Sequence, residues 1–319
     1  MRTELQDKLA GLNIVCLAGG VGGAKLAGGL AENLSSERLT IIVNTGDDFQ
    51  HMGLTICPDL DTVTYTLAGV SNPQTGWGRV GESWVTIEEV NQLGGPSWFR
   101  LGDLDLATHL VRTQLLAEGQ TLTETTQHLC AHLGIDVELL PMSDQPAPTM
   151  ITTDNAVLAF QTWFVKERWQ PIIREVNLPQ DTLATLPVMR ALERADIVLI
   201  APSNPFVSID PILNVYPIRE MIMDLPRSVI AVSPIVGGKA VKGPAAKMMA
   251  EMGLSASAAS VANYYGDLID GFVIDQEDAD DSQEISCETL VCDTIMHNKI
   301  DRSRMARDVL QFALNLAAR

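Results

Sequence analysis

The clearest chemical signal in the sequence is a group of four aspartates in two polar turns. Asp47 and Asp48 end the segment NTGDD, and Asp59 and Asp61 follow in CPDLDT. Neighbouring carboxylates repel one another, so such a group is costly unless it faces water or a cation. Magnesium commonly takes one or two carboxylates together with waters and phosphate oxygens. The pattern predicts a magnesium site or, for Asp59 and Asp61, capping of a helix that begins near Thr62.

A glycine-rich segment, GGVGGAK from Gly19 to Lys25, is typical of a turn between a strand and a helix. It is not a Walker A loop, because alanine and leucine flank Lys25 where glycine and serine or threonine are needed. It also lacks the third glycine of a dinucleotide fingerprint, since Lys25 stands there. Glycines let the backbone approach an anion at a helix N-terminus. We expect Gly19, Gly20 and Gly22 to bind a substrate, with a tight turn that binds no ligand as the alternative.

A third group of polar residues lies in WFRLGDLDLATHLVRT. Arg100 is suited to bind a phosphate or a carboxylate through two parallel hydrogen bonds. Asp103 and Asp105 precede a helix, where negative charge is favourable in any case. His109 and Arg112 are one turn apart on that helix, and we interpret His109 as a half-buried, hydrogen-bonded imidazole.

Two further turns follow consecutive strands in the second half of the chain. The first is PSNP, in which Ser203 and Asn204 have side chains that donate to and accept from a nucleotide. The second, VGGKAVKGPAAK, contains Lys239, Lys242 and Lys247. These lysines are either surface residues near a helix start or ligands of an anion, and the adjacent glycines favour the anion.

The apolar runs that precede these turns predict the fold. Short buried strands joined through helices imply a doubly wound, mainly parallel α/β sheet with a Rossmann-like core, and ligands at the carboxyl ends of the strands. We expect one domain over residues 1–319, with a mostly helical insert at about 62–134 and an acidic loop at about 275–287. Thr121 and Glu124 form a predicted capping box. The predicted strands are 13–18, 39–43, 135–140, 150–152, 157–165, 196–201, 228–232, 271–275 and 289–292, and the predicted helices include 24–34 and one from about 301.

The composition excludes several classes of partner. The formal net charge of −18 argues against nucleic acid or anionic lipid, both of which need a basic face. No apolar stretch is long enough to span a membrane, and the first residues lack a secretory signal, so a cytoplasmic protein is expected. The five cysteines have no metal-ligand spacing and are expected to be reduced.

Taken together, these motifs resemble the 2-phospho-L-lactate transferase family. The resemblance includes GGVGGAKLAGGL, VNTGDD, CPDLDTVTYTLAG, LGDLDLATHLVRT, PMSD, APSNPFVSIDPIL, VSPIVGGKAVKGPAAKMM and DGFVID, in that order. It implies a step of coenzyme F-420 biosynthesis, in which phospholactate or phosphoenolpyruvate moves from a guanosine diphosphate-linked donor to the deazaflavin alcohol Fo. It also implies release of GMP, a requirement for Mg²⁺ and a homodimer.

The resemblance also implies roles for individual residues. Asp61 and Arg100 match family residues that contact the deazaflavin, and Asp48 and Asp59 match acids near the metal and the attacking hydroxyl. We therefore expect Asp48 and Asp61 to be catalytic, and Asp48, Asp59 and Asp61 to hold the metal. The residues expected to bind substrates are Gly19, Gly20, Gly22, Asn44, Asp61, Arg100, Ser203, Asn204 and Lys242.

Two departures and one rival interpretation bear on these expectations. The first loop has Val-Gly-Gly-Ala where some members have Thr-Gly-Thr-Pro, and Arg100 stands where others carry lysine. The rival is a non-enzymatic regulator that binds a uridine diphosphate sugar on the same core. The acids of NTGDD and CPDLDT favour the transferase, because a sugar-nucleotide binder does not need them.

Overall fold

Strands and helices alternate through residues 4–317, the part of the chain that the computed structural model describes. The strands are β1 (Ile14–Ala18), β2 (Leu39–Val43), β3 (Phe49–His51), β4 (Leu54–Ile56), β5 (Glu138–Pro141), β6 (Met150–Thr153), β7 (Val157–Ala159), β8 (Ile173–Asn177), β9 (Ile197–Ile200), β10 (Ser228–Val232), β11 (Ile235–Val236), β12 (Lys239–Ala240), β13 (Gly271–Asp275) and β14 (Glu288–Cys292). The helices are α1 (Glu4–Leu9), α2 (Gly20–Asn33), α3 (Pro58–Leu67), α4 (Val85–Gln92), α5 (Asp103–Ala117), α6 (Leu122–His132), α7 (Leu186–Arg194), α8 (Asp210–Asn214), α9 (Ile218–Asp224), α10 (Ala245–Glu251), α11 (Ala258–Tyr265) and α12 (Lys299–Ala317).

Seven of these strands form the central sheet, in the order β14-β13-β10-β9-β1-β2-β5. All neighbours in it are parallel. From β1 the chain first builds the sheet toward β5 and then returns to add β9 on the other side. This change of direction makes a topological switch point between β1 and β9, where open α/β sheets bind their ligands. The predicted Rossmann-like parallel sheet is confirmed.

The sheet is buried on both faces, and its side chains alternate between two hydrophobic clusters. On β1, Val15 and Leu17 belong to the cluster that contains α7, α9 and α11, whereas Ile14 and Cys16 belong to the cluster that contains α2 and α12. Successive side chains of a strand point to opposite faces. Because both faces are covered, the strands have continuous apolar sequences, and this is why they were predictable.

The segment between β2 and β5 contains a short hairpin, β3–β4, followed by α3 to α6. The predicted capping box is present, because the Thr121 side chain accepts from the Glu124 N–H and the Glu124 carboxylate accepts from the Thr121 N–H. The division into a core and a helical insert stays a prediction. A second, three-stranded antiparallel sheet of β7, β6 and β8 follows β5.

Three element predictions differ from the structure. Helix α2 begins at Gly20, four residues before the predicted start, so the glycine segment forms its first turn. The predicted strand 157–165 ends at Ala159, and a π-helical turn follows over Thr162–Lys166. There Phe160 and Phe164 stack with ring centres 5.4 Å apart, a contact that helical spacing allows. The acidic segment Gln276–Glu284 forms short 3₁₀-helical turns interrupted by a kink at Asp278, rather than an irregular loop. Within residues 4–317, no helix combines the length and the hydropathy needed to cross a bilayer.

Candidate functional site

A cleft of about 570 Å³ lies at the carboxyl edge of the sheet. Its walls come from the turns after β1, β9 and β10, from α3 and α5, and from residues 294–296 after β14. This is the switch point of the topology, as expected for an open α/β sheet. Most of the predicted site residues line the cleft: Gly19, Gly20, Gly22, Asp59, Asp61, Arg100, Ser203, Asn204 and Lys242.

The glycine turn after β1 is hydrogen-bonded to neighbouring segments of the chain. The N–H of Gly19 donates to Ser203 Oγ at 3.3 Å, and the N–H of Gly20 donates to Asp59 Oδ1 at 2.7 Å. A Cβ atom on Gly22 would lie 2.2 Å from the carbonyl oxygen of Pro202, so no side chain fits there. Phosphate binding by the first two N–H groups is therefore not supported, because both already donate within the protein.

Beside this turn, Asp47 and Asp59 form a buried carboxylate pair that lines the cleft. The Asn44 amide lies 2.9 Å from Asp59 Oδ2 and 3.5 Å from Asp47 Oδ1, and Gln161 Nε2 donates to Asp47 Oδ2 at 2.9 Å. Burial raises the pKa of Asp59 to about 6. Burial, and repulsion by Asp59, raise the pKa of Asp47 well above its ordinary value. The negative charges of the two carboxylates are therefore not balanced, and a bound proton or cation stabilises the pair.

Two predicted site residues, Asn44 and Asp48, are not among the described residues that line the cleft. Asn44 is fully buried and acts through the carboxylate pair, as a donor to Asp59. Asp48 lies within electrostatic reach of Asp59, Asp61 and Arg112, and its Oδ1 atom is buried with no hydrogen-bond partner within residues 4–317. Its predicted catalytic and metal-binding role is not supported by this position. The adjacent Asp47 occupies the cleft instead, and the spacing of the acids did not distinguish the two.

A second buried polar network connects α3 to α5. Arg112 donates to both carboxylate oxygens of Asp61, with Nη1 3.1 Å from Oδ2. Tyr65 donates to Asp105 Oδ1 at 2.7 Å, and His109 Nε2 lies 3.2 Å from the same oxygen. His109 is hydrogen-bonded as predicted, but it is only 1% exposed rather than half-buried. Burial opposes the charge of Arg112, but Asp61 holds its pKa above the ordinary value.

These contacts also show that Asp59 and Asp61 are not helix caps. Both lie in the first turn of α3, where the cap position is Cys57 and no side-chain cap hydrogen bond forms among the described residues. Asp59 instead accepts from Gly20 of α2 and from Asn44 directly after β2, and Asp61 pairs with α5. The sequence left open whether these two aspartates cap the helix, and the structure shows that they do not.

Two places offer oxygen ligands for a cation, and they differ in local charge. Asp61, Asp105 and His109 have ligand atoms within 4.8 Å of one another. The Arg112 guanidinium, however, already balances Asp61 and lies 3.1 Å from His109 Nδ1, so a second cation there would be repelled. The groups that act on Asp47 and Asp59 are carboxylates, amides and backbone N–H groups. The pair Asp47–Asp59 therefore fits a magnesium ion better.

Aromatic side chains form the wall beside Arg100. Its guanidinium stacks on the Trp84 ring, 4.5 Å from the ring centre. Trp98 and Phe99 line the cleft and pack against each other and against Phe49. Such a wall suits a planar, aromatic ligand. The sequence placed Arg100 correctly on the cleft, but its WF pair was not recognised as part of the site.

At the other side of the switch point, several predicted binding groups already have partners. Ser203 Oγ donates to the Gly19 carbonyl at 2.7 Å, and Asn204 Oδ1 accepts from Phe206 N–H at 3.0 Å. Lys242 lines the cleft and reaches the Thr75 carbonyl at 3.0 Å. Lys247 pairs with Glu251 instead. Lys25, at the other end of the glycine segment, also lines the cleft and donates to the Met296 carbonyl at 2.6 Å.

The raised pKa values of Asp47 and Asp59 predict that stabilisation by Mg²⁺ depends on pH. In the metal-free protein the folded state holds these protons more tightly than the unfolded chain, so stability falls as pH rises from about 4 to about 6. A Mg²⁺ ion at this site would bind the ionised pair and offset this loss. We expect millimolar Mg²⁺ to raise the Tm clearly at about pH 8 and hardly at about pH 5. Equal shifts at both pH values, measured by thermal denaturation, would contradict the assignment.

The comparisons with known proteins agree with this architecture. The family described as 2-phospho-L-lactate transferase CofD matches residues 14–312. The phosphoenolpyruvate transferase of Streptomyces griseus is 40% identical over 319 residues, which cover 96% of this chain and 100% of that protein. The 2-phospho-L-lactate transferase of Methanosarcina mazei is 36% identical over 303 residues, which cover 93% of this chain and 99% of that protein.

A solved structure supports the fold alone. A member of the UPF0052 family from Bacillus halodurans superposes with a TM-score of 0.62 and 15% sequence identity, over 94% of this chain and 98% of that one. The match spans both sides of the switch point, so the sheet topology described above is shared with that protein.

Proposed function

We propose a reaction for this chain, which belongs to the 2-phospho-L-lactate transferase CofD family. It transfers 2-phospho-L-lactate or phosphoenolpyruvate from a guanosine diphosphate-linked donor to the ribityl hydroxyl of Fo, and it releases GMP. The observation that carries the proposal is the buried pair Asp47–Asp59, which lies in the cleft between an aromatic wall and the turns after β9 and β10. Metal, alcohol and nucleotide can meet there.

The two sides of the cleft suit the two substrates. The deazaflavin ring fits against Trp98 and Phe99, where Arg100 is held in place by stacking on Trp84. The guanosine diphosphate fits at the opposite side, along the turn of Ser203 and Asn204. Lys25 and Lys242 also line the cleft and provide positive charge. We place the phosphorus of the donor between the two.

Asp47 and Asp59 would hold the magnesium ion that the family resemblance implies. Bound there, it would offset the charge that develops on the leaving phosphate. Asn44, Gln161 and the Gly20 N–H fix the orientation of the two carboxylates from behind. Such support restricts the carboxylates to one geometry before a substrate arrives.

The remaining chemistry belongs to Asp61. Its carboxylate lines the acceptor side of the cleft and accepts the hydrogen bond of the attacking hydroxyl. As the P–O bond to that hydroxyl forms and the P–O bond to GMP breaks, Asp61 takes the released proton. A weak base suffices, because phosphoryl-type transfer depends mainly on positioning and electrostatics. The Arg112 pair keeps this carboxylate in place.

A product analysis tests the proposal. The purified protein, with Mg²⁺ and Fo, is given the guanosine diphosphate derivatives of phospholactate, phosphoenolpyruvate and phosphoglycerate in separate reactions. We expect mass spectrometry to detect a new phosphodiester of Fo and an equal amount of GMP with at least one donor. The donor that reacts identifies the acid.

The rival regulator makes the opposite prediction. If no donor yields a phosphodiester, and UDP-N-acetylglucosamine raises the Tm while GDP with Mg²⁺ does not, the proposal is wrong and the sugar-nucleotide binder replaces it. The aromatic wall and the carboxylate pair favour the transferase, since a sugar nucleotide requires neither. A homodimer and a cytoplasmic location, both expected from the sequence, stay predictions.

A further inference from the structure

His109 is a cleft residue to which the proposed reaction gives no part. It lies on α5 between Asp105 on its own helix and Asp61 on α3, and it lines the cleft with both. Nε2 is 3.2 Å from Asp105 Oδ1, and Nδ1 is 3.6 Å from Asp61 Oδ2. An imidazole in this place, nearly inaccessible to solvent, fixes the distance between the two carboxylates.

The neighbours of His109 determine which of its two ring nitrogens carries the proton. Arg112 Nη1 lies 3.1 Å from His109 Nδ1. A guanidinium has donors and no acceptor, so Nδ1 must be the unprotonated nitrogen that accepts. The proton then resides on Nε2, which lies 3.2 Å from Asp105 Oδ1 but forms no well-aligned hydrogen bond within residues 4–317. The structure therefore favours the neutral Nε2–H tautomer.

The same contacts leave the Asp105 carboxylate with free capacity to accept, whereas both oxygens of Asp61 already accept from Arg112. Within residues 4–317, the contacts of Tyr65 and His109 to Asp105 both use Oδ1, which leaves Oδ2 for a ligand. The Tyr65 hydroxyl donates to this carboxylate at 2.7 Å, as it would to an ionised acceptor. An ionised carboxylate accepts hydrogen bonds and donates none. This wall of the cleft therefore offers two carboxylates as hydrogen-bond acceptors. A ligand whose hydroxyl groups donate hydrogen bonds would complement it.

We propose that His109 is a positioning residue that, as the Nε2–H tautomer, holds Asp105 and the Asp61–Arg112 pair as two acceptors for neighbouring hydroxyl groups of a polyhydroxylated acceptor. The proposal rests on the proposed function, and it deepens that function by assigning a chain with several hydroxyls to this wall. Without the imidazole, Asp105 and Asp61 lose the side chain that lies between them, and Arg112 loses the acceptor at His109 Nδ1. The attacking hydroxyl is then misplaced relative to the phosphorus.

Two substitutions separate positioning from proton transfer. His109→Gln keeps one donor and one acceptor but cannot carry a proton, whereas His109→Leu keeps neither. We expect kcat/KM for the acceptor to stay within about 5-fold of wild type for His109→Gln and to fall about 100-fold for His109→Leu, with the KM of the donor unchanged in both. The pH profile of His109→Gln should match that of wild type.

A control variant tests whether a loss of stability alone would lower the activity. Val63→Ala removes a fully buried apolar group from α3 without touching the network, and it lowers the Tm. We expect it to retain the kcat/KM of wild type. If His109→Gln and His109→Leu lose activity equally, or if both stay active, the positioning role is wrong.

An activity-independent measurement separates this inference from the proposed reaction. In protein labelled with ¹⁵N at its five histidines, His109 is assigned by the signal missing from His109→Gln. We expect an unprotonated Nδ1 and a protonated Nε2 at about pH 8. The Nδ1–H tautomer or an imidazolium would overturn the inference even if wild type makes the phosphodiester. If wild type makes no product, the proposed reaction fails, and the tautomer alone then decides whether His109 holds the carboxylates as described.

Discussion

Replacement of Asp47 by asparagine is expected to lower kcat about 1,000-fold, because the proposed metal site loses one of its two charges. The fold should persist, since the variant replaces a buried carboxylate of raised pKa by a neutral amide that Gln161 can still bond. Steady-state kinetics over a range of Mg²⁺ concentrations measure the effect. The variant should need far more Mg²⁺ for its residual activity.

Asp48→Asn is the matched comparison for this experiment. It removes the same charge from the adjacent residue, whose carboxylate does not line the cleft. We expect its kcat and its Mg²⁺ requirement to stay near those of wild type. The reverse outcome, with Asp48→Asn inactive and Asp47→Asn active, would restore the prediction made from the sequence and reject the carboxylate pair.

Replacement of Arg112 by methionine is expected to have the largest effect on stability. Asp61 would remain buried without its cation, and the loss of one partner of a buried ion pair costs about 3–5 kcal/mol. Urea denaturation measures this free energy of unfolding. The double variant Arg112→Met with Asp61→Asn should recover part of the loss, because the unpaired charge is gone.

A surface pair of the same type provides the control. Arg174 and Asp154 are 2.6 Å apart, but their side chains are 56% and 47% exposed. Water and salt screen this pair, so Arg174→Met should change the urea midpoint little. A midpoint for Arg112→Met as close to wild type as that of Arg174→Met would show that the buried network contributes no stability.

The strands of the central sheet were predictable from the sequence for a physical reason. Each is buried on both faces, so its apolar run is continuous and ends where a polar turn begins. The turns that follow β1, β2 and β9 therefore located the cleft. The strand predicted over 157–165 was right only as far as Ala159, because the aromatic residues beyond it pack at helical spacing, and alternating hydrophobicity does not reveal that.

Only those features of the site that depend on residues close together in the sequence could be predicted. Asp59, Asp61 and Arg100 were placed on the cleft correctly. The preference for Asp48 over Asp47 was not supported, because the orientation of two adjacent side chains depends on how the turn packs. The pairing of Asp61 with Arg112, 51 residues away, has no local pattern at all. Neither does the support of Asp47 by Gln161, 114 residues away.

The contacts that close the cleft join positions far apart along the chain, and this affects the order in which the site is assembled during synthesis. The carboxylate pair needs only residues up to Gln161 for its direct partners, whereas Gly19 bonds Ser203, 184 residues later, and Lys25 bonds Met296, 271 residues later. On the ribosome, the residues that form the carboxylate pair and its direct partners are therefore synthesised long before Ser203 and Met296. The proposed binding of the nucleotide donor would therefore need nearly the whole polypeptide, and we expect a prematurely terminated chain not to sequester that donor.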